Sequence, residues 1–154
     1  MTTTGEDARP LPLIGQAVGQ AQASLTRLLT GILAGTGTSH PVWLGLQRLN
    51  ALGGQPTREA YEADLSYWLQ LDGPVAGRLA GDVVAAGLAA SGDDGSVAVS
   101  AQGRALRAEV LAASAQVTGP MLATIDRADL DTTIRSLETI TRLARETSDT
   151  EANR

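Results

Sequence analysis

Apolar positions recur at helical spacing along most of the chain. Leu13, Ile14, Ala17, Ala21, Leu25, Leu28, Leu29 and Ile32 keep one face apolar over about five turns, which predicts a long first helix. Gly15 and Gly19 within it either permit a close helix approach or are simply tolerated. The breaker-rich GTGTSHP at 35–41 ends this element. Val42 to Leu52 carries Trp43, Leu46 and Leu49 on one side, and Gly53-Gly54 stops it. Thr57 is a candidate N-cap, with Glu59 in the following turn, for a helix through Trp68 whose inner face holds Leu65, Trp68 and Leu69. Asp72 can cap the next helix and Pro74 suits its first turn; Val75, Leu79, Val83 and Ala86 give it an apolar face over Pro74–Ala86. Gly87 then reads as the C′ residue, with Leu88 packing back onto the helix.

Asp94-Gly95 is a hairpin-turn dipeptide between Ala89–Ala90 and Val97–Val99, which predicts a small wing. Ser100 is the expected cap of a long helix with Leu106, Val110, Leu111 and Ala113, kinked or broken at Gly119-Pro120. Asp129 is the expected cap of the last helix, where Leu130, Ile134, Leu137, Ile140 or Thr141, and Ala144 form a seam. Tails at 1–10 and 148–154 are expected to be disordered. The predicted fold is mainly α: a winged helix-turn-helix over 40–99, with a small β-hairpin wing, in a single domain spanning 1–154. Flanking helices within 11–39 and 100–147 have apolar faces with no partner inside the winged unit. Two copies could bury them against each other, which predicts a homodimer.

Composition narrows the function. The chain has 154 residues, 43% hydrophobic and 19% charged, an ordinary globular balance. It has no cysteine, which excludes disulfides and thiolate metal sites, and all twelve of its cations are Arg. MTTTGEDARPLP lacks the apolar core of a secretory signal, and the longest apolar run, 83–90, is interrupted by Gly87 and too short to span a bilayer. A cytoplasmic protein without membrane association is expected. Gly35-Thr-Gly37 lacks the remaining residues of a phosphate loop. No Ser/His/Asp set, paired carboxylates or metal-ligand spacing points to an enzyme, a metal or a cofactor. The four aromatics, Trp43, Tyr61, Tyr67 and Trp68, fall within 43–68. With His40, the residues Trp43, Tyr67 and Trp68 are candidates to line a pocket for a small planar ligand; core packing is the alternative.

LQLDGPVAGRLAGDVVAAGLA at 69–89 resembles the turn and recognition helix of the MarR family of winged-helix transcriptional regulators. PVWLGLQRL at 41–49 and VSAQGRAL at 99–106 resemble the opening of that family's second helix and the segment after its wing. The resemblance runs over about residues 12–147. It implies a dimer on palindromic duplex DNA, with the helix matching Pro74–Ala86 in the major groove, the wing at the minor groove, and a response to small aromatic ligands. Thr57, Arg58, Gly73, Pro74, Val75, Gly77, Arg78 and Gly81 become the candidate DNA contacts, with Arg78 foremost.

Charge pulls the other way. Residues 40–103 hold three Arg against seven acids, a balance of −4, whereas DNA readers gain affinity by neutralising phosphates. Asp82 occupies the family's basic position in the recognition helix, and Asp93-Asp94-Gly95 has no Arg where family wings carry one. Arg78 could also pair with Asp82 at i,i+4. Two readings follow: a DNA-binding regulator, or a MarR-like dimer that has lost DNA binding and holds a small molecule or a protein partner.

Overall fold

The computed structural model describes residues 11–152, with side chains from 13 onward. The elements are α1 (Leu11–Ala34), α2 (His40–Leu52), α3 (Arg58–Leu69), α4 (Gly73–Ala85), β1 (Ala89–Ser91), β2 (Val97–Val99), α5 (Ala101–Leu122) and α6 (Arg127–Ala152). Contacts divide the chain into two units, Met1–Ser114 and Ala115–Arg154.

In the first unit, capping side chains fix where helices begin. Ser39 Oγ accepts from the Val42 amide at 3.4 Å, Thr57 Oγ1 from Ala60 at 3.2 Å and Asp72 Oδ1 from Val75 at 3.1 Å. Each satisfies an amide that has no partner within its own helix. Gln70, in the left-handed region at φ 54°, ends α3 and sets up the tight turn into α4. Gly87, at φ 74°, closes α4, and the Leu88 amide returns to the Val83 carbonyl while its side chain is buried.

The core forms where these helices meet. Trp43, Leu46 and Leu49 of α2, Tyr61 and Leu65 of α3, and Ala76, Leu79, Ala80 and Val83 of α4 are buried together with Leu33, Leu88, Val97 and Val110. Gly45 allows the close approach: a Cβ there would lie 2.7 Å from Val83 Cγ2 and 3.2 Å from Tyr61 Oη. The Tyr61 hydroxyl donates to the Gly45 carbonyl at 2.8 Å, and burial pushes its phenol pKa well above the ordinary range.

β1 and β2 pair antiparallel, with Ala89 opposite Val99, Ala90 opposite Ala98 and Ser91 opposite Val97. The hairpin is anchored at both ends. Near its tip, the Arg58 amide donates to Gly95 O at 3.0 Å and the Val97 amide to Pro56 O at 2.8 Å. At its base, Ser100 Oγ donates to Gly87 O at 2.6 Å and accepts from the Gly103 amide at 2.9 Å.

The second unit holds the end of α5 and all of α6. Of the kink or break expected at Gly119-Pro120, the break is absent: α5 continues to Leu122 with Pro120 inside it. Two further expectations fail here. The cap of α6 is Asp126, whose Oδ1 accepts from the Ala128 amide at 2.8 Å, so Asp129 lies inside the first turn. Residues 148–152 continue α6 rather than forming a disordered tail, and Thr147, Ser148 and Thr150 each bond back to a carbonyl four residues earlier. The expected tail at 1–10 lies outside the described residues, as do 153–154.

Candidate nucleic-acid interface

α4 has three distinct sides. Ala76, Leu79, Ala80 and Val83 face the core. Gly77 and Gly81 form a shallow flank that α3 occupies: Arg58 Nη2 donates to the Gly77 carbonyl at 2.9 Å and lies 3.6 Å from where a Gly81 Cβ would be. Arg58 Nε also pairs with Glu62 at 2.5 Å, and the Glu62 carboxylate lies within 3.7 Å of a Cβ at Gly77. The third side is solvent-exposed and holds Pro74, Arg78, Asp82 and Ala85.

Of the candidate DNA contacts, Gly73, Pro74 and Arg78 lie open, and Val75 is half-buried. Thr57 is a helix cap, Arg58 fastens α3 to α4, and Gly77 and Gly81 receive that fastening. The expected alternative partner of Arg78 is not engaged. Among the described residues neither Arg78 nor Asp82 has a side-chain hydrogen bond or ion pair, although their spacing permits one. Arg104, which sequence reasoning passed over, is exposed at the base of the wing and donates to the Val99 carbonyl at 2.8 Å. Its signal was a cation one turn into the helix that follows the wing.

The wing tip is compact and acidic. Asp93 and Asp94 are both exposed. Hydrogen bonds from the Ser96 side chain and amide hold the Asp94 carboxyl below its ordinary pKa, so this charge persists to low pH.

The residues expected to share a ligand pocket differ in burial. Trp43 is in the core, and His40 begins α2. Tyr67 and Trp68 are exposed on α3, edge to face with centroids 5.4 Å apart. Arg48 grips Asp64 through two 2.8 Å bonds and lies 4.6 Å over the Trp68 ring. A different concavity exists, a cleft of about 650 Å³. Loop residues 35–39, Val42, Ala86, Leu88, Gln102, Ala105, Leu106 and Glu109 line it.

A helix-turn-helix followed by a hairpin pinned to its first helix defines a winged helix-turn-helix. The fold is that of the MarR family transcriptional regulators. A MarR family protein from Bacillus stearothermophilus superposes with a TM-score of 0.70 at 17% identity, covering 92% of this chain and 99% of that one. A MarR family transcriptional regulator from Rhodococcus sp. RHA1 gives 0.69 at 17% identity, over 86% and 96%. CouR from Rhodococcus jostii RHA1, solved bound to p-coumaroyl-CoA, gives 0.68 at 16%, over 82% and 90%. The sequence matches no family model and no curated protein.

Proposed function

We propose that this chain is a transcriptional regulator that binds duplex DNA as a dimer, inserting one α4 from each subunit into successive major grooves. The observation that carries this reading is the uncommitted, exposed Arg78 on a helix whose opposite sides are fixed by the core and by Arg58. A well-packed helix with a free guanidinium outward suits major-groove readout, since that fork matches guanine O6 and N7. The fold shared with MarR family regulators supports the same reading.

Dimerisation follows from apolar surface. α1 exposes Leu13, Ile14, Val18, Leu25 and Leu28, and α6 exposes Ile134, Leu137, Ile140 and Leu143 while burying no residue in the single chain. A second copy covers these faces. A ligand response is assigned to the cleft beside Ala86 and Leu88, whose occupant would touch the C-terminal end of α4 directly. Its volume falls within the range of small-molecule sites. CouR, of the same fold, was solved with an acyl-CoA bound.

The test is binding to duplex DNA from around the protein's own gene, against scrambled duplex, across a salt series. Specific binding whose log affinity falls linearly with log salt, and which Arg78→Ala weakens, is the expected result. Absence of binding even at low salt would remove the DNA-reading role.

A further inference from the structure

The outward side of α4 is chemically sparse, and that sparseness specifies what it can read. From Gly73 to Ala86 only two side chains carry polar atoms, Arg78 and Asp82. Both lie on the exposed stripe, one turn apart, and neither has a side-chain partner among the described residues. The other residues are Gly, Pro, Ala, Val or Leu, and Asp72, which precedes the helix, is occupied as its cap. Arg58 cannot substitute, because it is held on the α3 side.

The two groups have opposite capacities. A guanidinium only donates, and its fork matches the two major-groove acceptors of guanine, O6 and N7. An ionised carboxylate only accepts, and the exocyclic amino group of cytosine is its matching donor. Four residues of helix rise about 6 Å, roughly two steps along a strand at about 3.4 Å per nucleotide. Asp82 also repels phosphates in every sequence. That penalty is offset only where a base donor meets it, so the acidic residue weakens non-specific binding more than specific binding.

We propose that Asp82 is a specificity-determining residue that accepts a hydrogen bond from a cytosine amino group, while Arg78 reads a guanine within about two base pairs of it. The inference rests on the DNA-reading role argued above and names the sequence that role selects. Each half-site then contains a G and a C at fixed spacing, and the acidic reading head serves discrimination rather than affinity.

The experiment is selection from a randomised duplex library at low salt with the full chain and with Asp82→Asn, Asp82→Ala and Arg78→Ala. Asp82 is exposed and uncommitted, so melting curves of its variants should match the parent and exclude unfolding as a cause. The parent is expected to enrich a half-site with both bases. Asp82→Asn should convert the cytosine position to adenine, since an amide pairs with adenine N6 and N7. Asp82→Ala should cut discrimination at that position about five- to hundredfold while binding to scrambled DNA rises. Arg78→Ala should erase the guanine preference. If the parent enriches a motif that both Asp82 variants also enrich unchanged, the assignment of Asp82 is overturned while DNA reading stands. If the parent enriches nothing and binds no duplex, the role beneath it is overturned as well.

Discussion

Arg58 Nη2 donates to the Gly77 carbonyl at 2.9 Å, so the cation that opens α3 is fastened to the middle of α4. In sequence the two residues are 19 apart. The bond fixes α4 against α3 and engages a partly exposed positive charge within the fold. We expect Arg58→Ala to lower stability by about 1 kcal/mol, a figure suited to a half-exposed charged hydrogen bond and ion pair. Denaturant unfolding measures that loss. The salt dependence of DNA binding should keep its slope, because no phosphate contact disappears.

Glycine at 45 and at 103 is required by contact. Gly45→Ala would drive a methyl against Val83 and Tyr61, and overpacking of this kind costs about 1–3 kcal/mol. A Cβ at Gly103 would collide with the Leu88 carbonyl, which is backbone and has no rotamer to change. Gly103→Ala should therefore be the more damaging, loosening the wing base, and comparison of the two melting temperatures decides the order.

Tyr61 makes stability fall in alkali. Its folded pKa is raised by burial above the ordinary tyrosine value near 10, so the folded chain keeps a proton that the unfolded chain releases. The contribution is complete below about pH 10 and is lost as pH rises beyond it, by about 1.4 kcal/mol per unit. Unfolding curves between pH 8 and 11.5 should show the decline, and Tyr61→Phe should flatten it. At neutral pH that substitution should cost about 1 kcal/mol through the lost bond to Gly45.

The wing offers a gain-of-function test. Asp93 is exposed near the tip, where a cation would meet DNA. Asp93→Arg should tighten binding to both specific and scrambled duplex and steepen the log–log salt slope by about one for each wing engaged. Filter binding at four salt concentrations is sufficient to measure it.

Leu137 lies on the exposed apolar stripe of α6. If a second copy covers that stripe, Leu137→Glu places a charge in a buried interface and should convert a dimer to a monomer in sedimentation at micromolar concentration. The helical circular dichroism of the winged unit should persist, because the buried core of that unit is built from residues between Leu33 and Val110.

Much of this fold is legible locally. Thr57, Asp72 and Ser100 cap the helices their positions predict, and Asp94-Gly95 turns the wing, since caps and turns depend on residues within a few positions of one another. Misplacements arise where two local signals compete, as when Asp126 takes the capping role expected of Asp129. The candidate site was less legible. Periodicity identifies an apolar face but not what seats on a neutral one, so the occupation of Gly77 and Gly81 by Arg58 had no sequence signature. The burial of the aromatics was illegible for a related reason. Trp43 and Trp68 belong to helices whose rotation about their axes is set by the shared core, which buries one ring and exposes the other.

That division equips the molecule with two native optical reporters. Trp43 sits in the buried core, whereas Trp68 stands beside a guanidinium and open solvent. Their emission bands should separate, the first blue and the second red and accessible to iodide. Loss of the blue band follows collapse of the packed interior, while a change in the red band with the blue band intact follows α3 and the Arg48–Asp64 clamp. One cuvette thus distinguishes global melting from a local event, with no label attached to the chain.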